Sequence, residues 1–265
     1  MTVLKIISRS FLFLILTILT QVGGVVYLIS LLISAKWKFN FRGKQVILFS
    51  LLYAAVTFLI VPIIAPLFGR ERVLNNNIIS PSTYMTVLMN RNYIKPELND
   101  LLVATALELA NTEVKISYLD ANFPFIDGFP LLPHLSHNDG KKIDLSLIYE
   151  TKEGWLTQEN KSISGYGVFV EPTQNEHNQN LVCKSAGYFQ YDFPKLLTFG
   201  SINSDLQFSK IGTKNLMLTI LSQPNLGKVF IEPHLKSRMK LSNNKIRFHG
   251  CGAVRHDDHI HIQLK

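Results

Sequence analysis

The sequence predicts an α+β fold, with two N-terminal transmembrane helices followed by a domain built on a central antiparallel sheet. Three observations predict it. Residues 11–33 and 46–67 contain no charged side chain, and each run reaches the roughly 20 apolar residues that cross a bilayer as a helix. From Pro96 onward, Leu98, Leu101, Leu102, Ala106 and Leu109 recur at helical spacing, the pattern of an amphipathic helix. Two segments alternate with period two. Ile143, Leu145 and Leu147 alternate with Asp144 and Ser146, and Ile260, Ile262 and Leu264 with His259, His261 and Gln263, as half-buried strands do. Helices and strands in mixed order suit antiparallel pairing.

Residues 1–69 read as a helical hairpin, with spans at about 11–33 and 46–67. The first run is longer than the roughly 7–15 residues of a signal-peptide core, and a second span follows it. Lys36, Lys38, Arg42 and Lys44 lie between the spans without an acidic residue, so the positive-inside rule keeps this loop in the cytoplasm. A hairpin then exports both the N-terminus and everything after Gly69. Lys5, Arg9, Arg70 and Arg72 oppose that orientation. The net charge is +8 and the pI about 9.4. Part of this charge is topogenic, and the remainder suits anionic headgroups or an anionic wall polymer. Nucleic acid is excluded as a partner, because no basic run is interleaved with aromatics.

Residues 70–83, with Asn75-Asn76-Asn77 and Ser80-Pro81-Ser82, predict a linker, and 84–265 a folded domain. Within it the helix from Pro96 ends near Asn111, and Val114–Leu119 reads as a strand. Pro124, Gly128, Pro130 and Pro133 place His134 and His137 on a loop. A second helix fits either Phe193–Leu197 or Gly212–Leu221. Lys228–Ile231 predicts a strand, Pro233–Met239 a short helix and Asp258–Leu264 the terminal strand. Trp155, in a polar loop, reads as a packed side chain. Cys183 and Cys251 both lie beyond the spans. In an oxidising compartment they can form a disulfide, with two buried thiols as the alternative.

Five of the eight histidines fall in two clusters, His134-Leu-Ser-His137 with Asp144 following, and His256-Asp-Asp-His259-Ile-His261. Catalytic zinc sites use three imidazole or carboxylate ligands and keep a fourth position for water. A loop histidine leading through Gly140 into a strand carboxylate brings His137 and Asp144 to one ion, and His261 supplies the third ligand. His259, two residues away on the same strand face, is the candidate general base and proton donor to the leaving amine. Core histidines are the bland alternative for any one imidazole, but two clusters both carrying ligand types favour a Zn²⁺ site. A structural zinc site would need a short-spaced cysteine pair, which the chain lacks. Asp257 and Asp258 can orient ligand imidazoles, or form plain salt bridges. Lys236, Arg247 and Arg255 are candidates for binding a substrate carboxylate, though surface charge is the better reading of each. His177, His234 and His249 lie outside the ligand motifs.

These motifs resemble the penicillin-insensitive murein endopeptidases, within the zinc peptidases that include lysostaphin-type enzymes and D-alanyl-D-alanine carboxypeptidases. The likeness rests on Ser136-His137-Asn-Asp-Gly140-Lys-Lys-Ile-Asp144 preceded by His134, on His256-Asp-Asp-His259-Ile-His261, and on Val229-Phe-Ile-Glu-Pro-His-Leu-Lys236. It covers residues 84–265. The resemblance implies zinc held by His137, Asp144 and His261, with His256 and His259 flanking a zinc-bound water, either of them able to be the base, and His134 a nearby active-site histidine. It further implies a metallopeptidase that cuts D-alanyl to diamino acid cross-links of peptidoglycan stem peptides. A D,D-carboxypeptidase or dipeptidase of the same group is the alternative activity, and a non-catalytic wall-binding module the alternative class. Family members are usually soluble, so the membrane hairpin is a departure. It predicts a multi-pass protein of the inner membrane, its catalytic domain facing the periplasm, tethered near the wall or docked to a cell-wall synthesis or secretion complex.

Overall fold

The computed structural model describes residues 3–36, 41 and 43–265; Lys38 and Arg42 of the basic loop lie outside these. The first apolar run is not one continuous helix. α1 (Val3–Thr20) and α2 (Gly23–Lys36) are separated at Gln21, whose φ is +65°. Thr17 and Thr20 donate their hydroxyls to the Phe13 and Leu16 carbonyls, and the Gly23 amide donates to Thr20 Oγ1 at 2.8 Å. These side-chain bonds compete with the helical ladder where α1 stops. α2 then folds back on α1, and Gly24 permits the close approach: a β-carbon there would lie 1.9 Å from Thr17 Oγ1. Gly24→Val is therefore expected to force α1 and α2 apart and lower the thermal stability of the detergent-solubilised protein. An unchanged melting curve would show that this contact is not close.

α3 (Lys44–Phe68) runs antiparallel to α2, with Gln45 Nε2 donating to Ser30 Oγ at 2.6 Å and the Tyr27 and Phe49 rings 6.2 Å apart. α1 and α3, of 18 and 25 residues, are long and apolar enough to cross a membrane. α2, with 14 residues, spans about 21 Å at 1.5 Å per residue. Pro62 has no amide hydrogen, and α3 widens into a π turn over Val56–Ile60. The Thr57 carbonyl, whose i+5 partner would be Pro62, instead accepts from Arg72 Nη2 at 2.5 Å.

That bond is one of several joining the helices to the domain. The Phe125 amide donates to Gln21 Oε1 at 3.0 Å and Tyr53 Oη to the Leu88 carbonyl at 2.6 Å, while Val22, Val61, Ala65 and Tyr93 form one buried cluster. Residues 70–83 are accordingly not a tether. Glu71–Arg72 pairs with Tyr93–Ile94, Val73 and Ile79 enter the main core, and Ile79–Pro81 is a strand of the central sheet. Arg70 is buried, donating to the carbonyls of Phe123 and Asn138 and to the Asp127 carboxylate. The polar composition of this segment serves turns and a sheet edge.

The domain is mixed α and β. Its six-stranded sheet uses β1 (Ile79–Pro81), β2 (Ile116–Tyr118), β3 (Lys142–Ser146), β4 (Leu226–Phe230), β5 (Ile246–Arg247) and β6 (His259–Leu264) in the order β5-β4-β6-β3-β2-β1. The four inner strands pair antiparallel, as predicted. The outer pairs β1–β2 and β4–β5 are parallel, because intervening segments carry the chain back to the same end. Between β1 and β2 that segment contains α4 (Pro96–Leu109), and between β4 and β5 it contains α6 (Pro233–Arg238). α5 (Lys210–Ser222) packs with α4, and Leu98, Leu102, Leu216 and Ile220 join Ile143, Leu145, Ile260 and Ile262 in one core. Both helix candidates exist, Phe189–Leu197 as 3-10 turns and Lys210–Ser222 as an α-helix. The face of β6 opposite the core is covered as well, so the strand is buried on both sides.

Candidate metal centre

The pairing of β3 with β6 builds the site. In this antiparallel register His261 stands directly opposite Asp144, and His259 opposite Ser146, which brings cross-strand side chains on one face together. His137 arrives on the loop between β2 and β3. Gly140 closes that loop with φ +78°, and a β-carbon there would press on Lys95 Cγ at 3.0 Å and Arg70 Nε at 3.2 Å. Asn122 braces the same turn, accepting from the Gly140 amide and donating to the Lys142 carbonyl.

Three ligand atoms converge. His137 Nε2 lies 3.0 Å from His261 Nδ1 and 3.2 Å from Asp144 Oδ1, and His261 Nδ1 lies 2.8 Å from Asp144 Oδ1. His137 Nδ1 is 2.7 Å from the Ala121 carbonyl, which only accepts, so a neutral ring turns its Nε2 lone pair toward the site. That lone pair and the carboxylate oxygen face each other with His261 Nδ1 against both, an arrangement that a cation held by all three atoms would satisfy. Ligands at about 2.0–2.1 Å around a tetrahedral ion stand about 3.3 Å apart, close to the spacing found. The donor set therefore fits a first-row divalent metal ion.

Around this triad the remaining groups are ordered. Tyr166 Oη donates to Asp144 Oδ2 at 2.9 Å and accepts from the Asp120 amide at 3.0 Å. His259 Nδ1 donates to Asp258 Oδ1 at 2.5 Å, and Asp258 Oδ2 accepts from the Gly167 amide. This leaves His259 Nε2 buried without a hydrogen-bond partner, 3.8 Å from Asp144 Oδ2. His134 Nδ1 stands 3.1 Å from Asp144 Oδ2 and 3.6 Å from Asp120 Oδ2, and Asp120 is paired with Arg91. His134, His137 and Asp144 also form a group able to hold a metal ion. His134 and His256 are the most accessible of the five clustered imidazoles, each 7 % exposed.

Burial pushes the Asp144 carboxyl up, but the imidazoles of His137, His259 and His134 more than reverse this and hold it well below the usual carboxylate range. Burial and the neighbouring rings of His259, His249 and His261 keep His256 far below the ordinary imidazole value. For His259 burial acts downward, and the carboxylates of Asp144 and Asp258 overcome it, raising the ring to about 9. Two adjacent histidines are thus driven in opposite directions.

Several groups fall elsewhere than the sequence suggests. Asp258 orients His259, but Asp257 pairs with Arg255. Arg255 is buried among Asp257, Asp192 and Glu171 with its guanidinium 3.9 Å over the Phe169 ring, so it is not available to a substrate. Trp155 is exposed. Cys183 and Cys251 form a disulfide. His177 pairs with Gln179, and His234 donates to the Val170 carbonyl. His249, outside both motifs, lies against Glu232 and His256 in a second group able to hold a metal. Tyr166, Asp120 and His249 had no signal in spacing, since each reaches its place through a loop, while Glu232 lay within the Val229–Lys236 segment without an assigned role. No known family model matches the chain, and no curated protein is significantly similar to it.

Proposed function

We propose that this chain is a membrane-anchored zinc metallopeptidase that hydrolyses the D-alanyl to diamino acid cross-links of peptidoglycan. The observation that carries the proposal is the convergence of His137 Nε2, Asp144 Oδ1 and His261 Nδ1 within 3.2 Å of one another, beside a histidine held by its own carboxylate. Those three residues would hold the zinc. When bound, Zn²⁺ would polarise a scissile carbonyl and lower the pKa of water toward about 7. Asp258 keeps one proton of the His259 ring on Nδ1; a zinc ion beside the ring would oppose the carboxylates that raise it, leaving Nε2 to take the proton of the attacking water and return it to the leaving amine. Tyr166 holds Asp144 Oδ2, and His134 and His256, the least buried of the five clustered imidazoles, flank the three ligands. The murein endopeptidase likeness of the two histidine motifs supplies the substrate class.

A periplasmic site suits two further observations. The disulfide belongs to an oxidising compartment. With α1, α2 and α3 successively antiparallel, Lys5, Arg9, Lys36 and Lys44 lie at one end of the helices, and the Gln21 turn and Phe68 lie at the end that meets the domain. The positive-inside rule then assigns the N-terminus to the cytoplasm together with the basic loop, removing the conflict that Lys5 and Arg9 posed for a simple hairpin. A C-terminal reporter is expected to be active only outside the cytoplasm; activity only inside would sink the location and the substrate with it.

Digestion of isolated sacculi by the detergent-solubilised chain is expected to convert dimeric muropeptides into monomers on mass analysis. Loss of terminal D-alanine with dimers intact would transfer the activity to a D,D-carboxypeptidase, and no release at all would leave a wall-binding module. Asp258→Ala is expected to lower the rate about 10–100-fold with bound zinc unchanged. A parallel loss of zinc would mean that Asp258 supports the ligand set instead of His259.

A further inference from the structure

A second group of ligand-type side chains adjoins the first. Glu232 follows β4, His249 follows β5, and His256 precedes β6, with one ligand atom from each lying within 4.8 Å of the others. This is no surface ion pair. Glu232 and His256 are 1 % and 7 % exposed. The carboxylate is held by Tyr191 Oη, 2.8 Å from both of its oxygens, and by the His256 amide at 2.9 Å.

Donor and acceptor accounting leaves this group one cation short. His249 Nδ1 lies 2.8 Å from the Gly250 carbonyl, which only accepts, so the proton of a neutral ring sits on Nδ1. His249 Nε2 then presents its lone pair to Glu232 Oε1 at 3.1 Å. Two acceptors at that distance repel unless a metal ion or a second proton lies between them. His256 Nδ1 is also buried without a hydrogen-bond partner. Unpaired buried polar atoms cost free energy, and an ion held by these three residues satisfies the facing pair of acceptors.

We propose that Glu232, His249 and His256 form a second site for a divalent transition-metal ion of the zinc class. Two imidazoles and one carboxylate suit Zn²⁺ or Co²⁺, whereas Mg²⁺ and Ca²⁺ prefer oxygen donors throughout. The Cys183–Cys251 disulfide fixes the loop two residues beyond His249, so the ligand is held in place before the ion arrives. His256 links this site to the first, its ring centroid 4.6 Å from that of His259 and 5.8 Å from that of His261. The site does not depend on the hydrolytic reading.

The test is metal stoichiometry. The full chain in detergent is stripped with chelator, titrated with Zn²⁺ and separately with Co²⁺, desalted, and assayed for metal per chain by mass spectrometry. Two ions per wild-type chain are expected, with one remaining in His249→Ala, in His249→Gln and in His137→Ala. One ion per wild-type chain, retained in both His249 variants and lost in His137→Ala, overturns the second site and leaves the first intact. One ion lost in His249→Ala but retained in His137→Ala instead removes the first site and keeps the second. Should the His249 variants fail to fold, the wild-type and His137→Ala counts decide by themselves, since a wild-type count of one with none in His137→Ala overturns the proposal.

Discussion

His261→Ala reduces hydrolysis of sacculi to the buffer background and removes one bound metal ion: this is the largest functional effect expected of any single substitution. His261 is the residue on β6 that faces Asp144 across the strand pair, and its Nδ1 lies within 3.0 Å of both other ligand atoms. Without it His137 Nε2 and Asp144 Oδ1 remain 3.2 Å apart, and two protein ligands replace the three that a catalytic site needs. The ring also packs on Phe230, 5.4 Å between centroids, so truncation adds a stability loss. A decisive measurement therefore pairs activity with metal content and circular dichroism. A folded His261→Ala protein that retained both metal and activity would end the assignment of His261 as a ligand.

Arg255→Met produces the largest expected stability loss. Its guanidinium, 1 % exposed, donates to both oxygens of Asp257 and to Asp192 and Glu171. Burial works against the Arg255 charge, and the Asp257 and Glu171 carboxylates more than offset it, raising its pKa. Removing one partner leaves the buried Asp257 uncompensated, a loss of about 3–5 kcal/mol. For a domain of this size that lowers the melting temperature by roughly 6–20 °C. Because an apolar pair can replace a buried ion pair at little cost, Arg255→Met combined with Asp257→Leu is expected to recover part of the loss. A double variant no more stable than the single one would show that packing on Phe169, and not the stranded charge, sets the effect.

The candidate site was legible in the sequence to an uneven degree. Ile143–Ser146 and His259–Leu264 alternate so regularly that both strands, and the face of each that carries Asp144 or His261, follow from period two alone. Residues 70–83 were not legible, because asparagine, serine and proline serve turns and sheet edges as readily as they serve a tether. The first span misled for a related reason. Apolar composition from Phe11 to Ile33 says only that the segment is lipid-compatible. The break at Gln21 depends on threonine hydroxyls bonding back to the helix, and on Gly23 and Gly24 accepting α1 at close range. His249 and Glu232 stood apart in sequence and meet only because the parallel β4–β5 pair and the loop beyond it return the chain to His256.

Local chemistry determined the apolar segments, the two alternating strands and the supply of imidazoles and carboxylates, since each of these is written within a few consecutive residues. Tertiary structure decided which of those ligands meet. The register of β6 on β3 set His261 against Asp144, the Gly140 turn brought in His137, and loop packing added Tyr166 and turned Asp257 toward Arg255 instead of a ligand imidazole. Periodicity fixes the direction of a side chain only relative to its own strand. Convergence to within 3.2 Å requires the pairing of segments more than one hundred residues apart, and no local pattern encodes that.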